Sequence, residues 1–261
     1  MPSSNSSNDF SLEGKGALVV GAEHPVGSAA AVALAEAGAK VMLASQEPGT
    51  DKQLKEVGKL VASAGTKAVI RVQDAATRAD VSATADLAAK ELGGLHILVN
   101  ALDAPAFGPA EAADDTAFDK IMENNLKTVW MSCQEGARVM LRQGGGVIVN
   151  VTSVLAERGV PNAALYCAAK AGVLNLTRAF ALEWARKGIR VNAIEAGWLD
   201  DESSPAAKDN EFSKTLLKYL PDNRLVKPEE LGGALLYLVS PAAGFVTGES
   251  IAVDGALRAR V

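Results

Sequence analysis

The chain has 261 residues, 48% hydrophobic but only 5% aromatic, with a formal net charge of −5. That length suits one large α/β domain or two small ones, and it buries an aliphatic core without disulfide or metal staples. Charges of both signs are scattered with no basic stripe, which excludes a nucleic-acid surface, and no apolar run approaches the ~20 residues of a membrane span.

The serine- and asparagine-rich start lacks the basic residues and apolar run of a secretory signal, so residues 1–10 are expected to form a disordered tail ahead of one domain over 11–261. Short aliphatic runs at 17–20, 40–43, 68–72, 97–100, 147–151, 191–194 and 250–253 read as strands. Longer stretches of helical period separate them, among them 26–37, 80–92, 117–141 and 165–187. This alternation predicts an α/β fold of Rossmann type: a doubly wound parallel sheet of about seven strands with helices on both faces. No repeat or Pro/Gly-rich linker divides the chain. The polar stretch around 198–228, with Asp200, Asp201 and Glu202, is expected to be a substrate lid near the carboxyl edge of the sheet.

Cys133 and Cys167 make no disulfide framework, and with His24 and His96 they match no metal spacing, so no metal is expected and the setting is a reducing cytoplasm. The first strand runs into Gly21 and, six residues on, Gly27, followed by an alanine-rich helix. Glycine in such a turn lets backbone approach a pyrophosphate at a helix N-terminus, although glycines at strand–helix turns are as often purely structural. A second constellation is more specific. Ser153 closes a strand, and Tyr166 and Lys170 follow at i and i+4, on one face of a helix. An ammonium near a phenol stabilises the phenolate, and a serine hydroxyl at the neighbouring strand end can hold a reacting oxygen. An ordinary amphipathic helix with a Tyr/Lys pair is the alternative.

These residues, together with Asp74, Ile-Leu-Val-Asn ending at Asn100, Asn-Asn-Leu with Asn125, Val-Asn-Val-Thr-Ser ending at Ser153, Tyr166-Cys-Ala-Ala-Lys170, Ile-Arg-Val-Asn-Ala-Ile at 189–194 and a closing Val-Asp-Gly at 253–255, resemble the short-chain dehydrogenase/reductase family over residues 10–255. Members of the 3-oxoacyl carrier-protein reductase and gluconate 5-dehydrogenase kind are similar to the chain. The resemblance implies hydride exchange between a nicotinamide and a small-molecule secondary alcohol or ketone. It implies Tyr166 as general acid/base, Lys170 lowering its pKa and holding the nicotinamide ribose, Ser153 polarising the carbonyl, and Asn125 holding a relay water. The cofactor would lie along Gly21, His24, Val26, Gly27, Ser45, Gln46, Asp74, Ala75, Asn100, Tyr166, Lys170, Gly197 and Leu199. The family also implies a homo-oligomer, dimer or tetramer, built on the helices at 117–141 and 165–187.

The cofactor half departs from the family's pattern. Val20 stands for a threonine, Pro25 for the middle glycine, Ala101 and Asp103 for members of Asn-Asn-Ala-Gly, and Ala196 for a proline. These changes motivate the alternative of a catalytically silent dinucleotide sensor or scaffold, while the complete Asn125, Ser153, Tyr166, Lys170 set favours an enzyme. After the second strand neither Ser45 nor Gln46 is acidic, and His24 either faces a 2′-phosphate or is solvated. Glu47 argues the other way. The balance points to NADP, with NAD the alternative. Asp201 either contacts substrate or, the favoured reading, faces solvent. Arg158 either pairs with a substrate carboxylate or sits solvated at the rim.

Overall fold

The computed structural model describes residues 9–45, 47–72, 77–202, 204–207 and 210–260. Seven strands form one parallel sheet: β1 (Gly16–Val20), β2 (Lys40–Ser45), β3 (Val69–Val72), β4 (Ile97–Asn100), β5 (Gly146–Ser153), β6 (Ile189–Ala196) and β7 (Ser250–Val253). Their spatial order is β3-β2-β1-β4-β5-β6-β7, so the winding reverses between β1 and β4. In such sheets ligands bind in the crevice outside the carboxyl ends of the strands at that reversal. The central strands are near-continuous apolar runs because both faces are covered; every residue of β1 and β4 is buried.

The helices are α1 (Pro25–Glu36), α2 (Asp51–Ser63), α3 (Arg78–Leu92), α4 (Asp115–Met122), α5 (Thr128–Arg142), α6 (Ala164–Trp184), α7 (Glu211–Tyr219) and α8 (Gly232–Val239). One core layer packs Leu34 of α1, Leu54 of α2 and Leu235 of α8 on the sheet. The opposite layer packs Ala88 of α3, Cys133 of α5 and Phe180 of α6. Local chemistry sets several boundaries. Pro25 opens α1, where its missing N–H is no loss. Thr77 caps α3 by accepting from the Asp80 N–H, and Gly93 ends it in the left-handed region.

The expected strands are found, with β5 and β6 longer because they pair through Ser153 and Ala196. The helix expected over 117–141 is interrupted. A π-helical turn, Glu123–Lys127, separates α4 from α5 and carries Asn125. Thr128 Oγ1 donates to the Glu123 carbonyl at 2.8 Å there, and such bulges recur at functional sites. The expected lid is tied at its base by a bridge between Leu199 and Val226 and carries α7. Of the expected tail, residues 1–8 lie outside the described residues, while residues 9 and 10 form a turn and Leu12 is already core.

Candidate active site

A cleft opens at the carboxyl ends of β1, β4, β5 and β6, lined by His24, Pro25, Val26, Asp103, Ser153, Tyr166, Lys170, Gly197, Leu199 and Asp201 among others. Its cofactor side is the loop from β1 to α1. Gly21 has φ +81°, and a Cβ on it would lie 2.8 Å from the Ala101 carbonyl carbon. A Cβ on Gly27 would lie 2.0 Å from the Gly21 carbonyl oxygen, so the turn closes only with glycine at both ends. His24 is the N-cap of α1 with extended dihedrals, and no side chain caps that end. The backbone N–H groups of the first turn are therefore left for a ligand, and an anion suits them. The loop thus fits a dinucleotide diphosphate, Pro25 notwithstanding.

Glu23 was not expected to matter. Its side chain is 4% exposed, and Oε1 accepts from Ser45 Oγ at 2.7 Å, while Oε2 is buried without a partner. A carboxylate thus reaches the end of β2 from the neighbouring loop, although β2 itself ends without one. Burial pushes the Glu23 carboxyl above the usual range. His24 lies beside it, Nε2 to Oε1 3.8 Å, and lines the cleft. Val26, Gly197 and Leu199 line the cleft. Gln46, Asp74 and Ala75 lie outside the described residues. Asn100 is a correction: it is fully buried, donating to Asn150 Oδ1 at 2.8 Å and accepting from Ser132 Oγ at 2.6 Å. Its side chain ties β4 to β5 and α5 and does not line the cleft.

Ser153, Tyr166 and Lys170 converge on the floor of the cleft, as the strand end and the i, i+4 spacing require. Tyr166 and Lys170 are almost wholly buried. The surprise is Asp103. Its Oδ1 accepts from Tyr166 Oη at 2.6 Å and lies 3.0 Å from Lys170 Nζ. Lys170 Nζ also donates to the Leu102 carbonyl at 2.9 Å. Lys170 was expected to lower the Tyr166 pKa; instead the phenol is pushed well up, first by burial and then by the charge and hydrogen bond of Asp103, with the Ser153 hydroxyl pulling it back. Burial opposes ionisation of Asp103, but Lys170 and Tyr166 overcome it and hold the carboxyl below its usual value.

Asn125 is fully buried in the π-helical turn. Its Nδ2 donates to the carbonyls of Ala104 at 2.9 Å and Ile121 at 3.1 Å, and its Oδ1 accepts from the Ala104 N–H at 3.0 Å. The side-chain amide thus clamps the residue after Asp103. Arg158 is likewise committed, donating to the carbonyls of Leu257, at 2.6 Å, and Arg260. Asp200 is exposed, but Asp201 is half-buried and lines the cleft, contrary to the solvent-facing reading.

A family model described as enoyl-(acyl carrier protein) reductase matches residues 20–257, nearly the whole chain. Cis-4-hydroxycyclohexanecarboxylate dehydrogenase of Sinomonas cyclohexanicum is 38% identical over 240 residues, covering 92% of this chain and 94% of that one. The chain belongs to the short-chain dehydrogenase/reductase family. Gluconate 5-dehydrogenase of Gluconobacter oxydans is another member, 33% identical over 95% of this chain and 96% of its own. The crystal structure of a gluconate 5-dehydrogenase from Burkholderia cenocepacia J2315 in complex with NADP and tartrate superposes with a TM-score of 0.91 at 33% identity, covering 98% of this chain and 100% of that one. As a member of this family the protein is an NAD(P)-dependent oxidoreductase that interconverts secondary alcohols and ketones. No described helix is long and apolar enough to cross a membrane.

Proposed function

We propose that Tyr166 is the general acid in ketone reduction and the general base in alcohol oxidation, with Ser153 holding the substrate oxygen and Lys170 holding the cofactor ribose. The observation that carries this reading is the convergence of the three side chains on the floor of one cleft whose neighbouring wall is the Gly21–Gly27 loop. A bound nicotinamide supplies or accepts the hydride. Tyr166 gives its hydroxyl proton to the carbonyl oxygen as the carbon is reduced, and it takes that proton back when an alcohol is oxidised. Ser153 Oγ accepts from the Leu155 N–H at 3.2 Å, which turns its own proton toward the phenol and the substrate oxygen.

The substrate wall is aromatic: Phe107 stacks on Trp198 with centroids 6.1 Å apart, and Phe212 meets Trp198 edge-on at 5.4 Å. Asp103 and Asp201 line the same cleft, and Arg158 is engaged elsewhere. This lining favours neutral ketones and alcohols over sugar acids. NADP and NAD both fit the loop: the Burkholderia relative holds NADP, and His24 favours a 2′-phosphate, whereas Glu23 opposes one.

The decisive experiment is Tyr166→Phe, assayed with neutral ketones and with NADPH and NADH. Turnover should fall by about 10²–10⁴-fold while cofactor binding, followed by nicotinamide fluorescence, is retained. Unchanged turnover would remove Tyr166 from the mechanism, and failure of the native protein to bind either cofactor would favour the silent-sensor reading.

We further propose a homo-oligomer built on α5 and α6. An open apolar groove lined by Met122, Leu126, Trp130, Leu176 and Ala179 runs between these helices. By contrast Leu174, Phe180 and Trp184 are core residues. Light scattering that found only monomer would overturn this. Both cysteines are unpaired, which suits a reducing cytoplasm; localisation of the tagged protein is the check.

A further inference from the structure

We propose that Asp103 is a positioning residue that holds the Tyr166 hydroxyl in its protonated form and so displaces the working pH range of the enzyme to the alkaline side. The inference rests on the reading of Tyr166 as the proton donor and acceptor. It starts from a carboxylate standing where the family's motif has a glycine. That residue follows β4 directly, and the Asn125 clamp on both the N–H and the carbonyl of Ala104 fixes the backbone beside it. The carboxylate is therefore delivered to one place. There a single oxygen, Oδ1, accepts the Tyr166 hydroxyl's hydrogen bond at 2.6 Å and faces Lys170 Nζ at 3.0 Å. A phenol-to-carboxylate distance this short is that of a charge-assisted hydrogen bond.

Two consequences follow from elementary electrostatics. Removing the proton from Tyr166 would leave a phenolate in contact with a carboxylate, two like charges in one cleft. The ammonium that would otherwise stabilise that phenolate is already matched by Asp103. Lys170 Nζ sits 5.3 Å from the centre of the Tyr166 ring, so it is near enough to matter, but its charge is countered at shorter range. The other groups facing the pair are few among the described residues. Ser153 favours the phenolate, Cys167 on α6 opposes it, His24 across the cleft acts on Asp103, and Asp201 adds negative charge to the same cavity. Burial first, and then the charge and hydrogen bond of Asp103, raise the phenol, while Lys170 and Tyr166 outweigh burial and lower the Asp103 carboxyl.

Reduction needs Tyr166 to enter protonated, and oxidation needs it to enter as phenolate. The alkaline limb of reduction and the acid limb of oxidation report the same hydroxyl, so Asp103 moves both limbs in one direction. The chemical balance is unchanged: the proton lost to the carbonyl oxygen is replaced from solvent before the next turnover.

The test is a pH titration of tyrosinate absorbance on the cofactor-free protein, with Tyr166→Phe subtracted to isolate one of the chain's three tyrosines. Tyr166 should stay protonated beyond the ordinary tyrosine midpoint near pH ~10. Asp103→Asn, which keeps the shape, and Asp103→Gly, which removes it, should each bring the midpoint down by about one unit or more. The acid limb of kcat/KM for alcohol oxidation should fall with it. Midpoints within a few tenths of a unit (~0.3) of the native protein would overturn the proposal. So would a shift in Asp103→Gly alone, which would mean that space and not charge is the cause. The absorbance readout needs no cofactor, so absence of NAD(P)H binding would sink the enzymatic reading of the site while leaving the titration of Tyr166 to decide the role of Asp103.

Discussion

The loop after β1 and the loop after β4 frame the same cleft, and both depart from the family's pattern. In the first, Val20 and Pro25 replace expected residues and Glu23 is added, yet the glycine turn closes and the open N-terminus of α1 faces the cleft. In the second, the Asp103 carboxylate bonds Tyr166 and faces Lys170 on the catalytic floor. The number of substitutions is a poor guide to their effect. Pro25 sits where its fixed φ and missing N–H are harmless, and Glu23 turns toward Ser45, away from the helix mouth. Asp103 turns toward the reacting groups, bonding Tyr166 and facing Lys170.

That contrast can be broken at three points. The largest effect is expected from Gly27→Ala, because the new methyl would meet a main-chain carbonyl that cannot swing aside. Cofactor affinity should fall by about 100-fold or more, roughly 2.7 kcal/mol, as measured by fluorescence titration. Near-native affinity would mean that the loop does not hold the diphosphate.

Asn125→Ala should have a middling effect. It removes the clamp on Ala104 and takes a partner from three backbone groups, the Ala104 N–H and carbonyl and the Ile121 carbonyl, lowering stability by about 1–3 kcal/mol in denaturant unfolding. With the loop loosened, the Tyr166 tyrosinate midpoint should shift down, by less than in Asp103→Gly. An unmoved midpoint would show that Asp103 finds Tyr166 without help.

The smallest effect is expected from Glu23→Gln. An ionised Glu23 repels a 2′-phosphate, so neutralising it should improve NADPH affinity several-fold, on the order of 1 kcal/mol, with little change for NADH. Because burial raises the Glu23 pKa, the discrimination exists above that raised value and fades as pH falls through it. The gain from the variant should fade in the same direction.

The family resemblance implied that Ser153 meets Tyr166 and Lys170; the sequence by itself determined the parallel sheet, the placing of Tyr166 and Lys170 on one helix face, and the glycine turn after β1. These follow from short-range rules: apolar runs of strand length, i, i+4 spacing on one helix face, and glycines that a tight turn demands. Helices α2, α7 and α8 were not singled out, since mixed or short periodic stretches give weak signals, and the π-helical turn at 123–127 was hidden inside an unbroken helical pattern. Asp103 was visible as a departure, but which groups its carboxylate meets was not. Tyr166 is 63 residues away along the chain, and Asn125, which fixes the loop, is 21 residues from Ala104. The same is true of Arg158, taken by carbonyls about 100 residues further on, and of Glu23, which reaches the end of β2. Only the tertiary structure decided these roles, because a side chain's charge acts over a few ångströms of space, and sequence separation does not encode that distance.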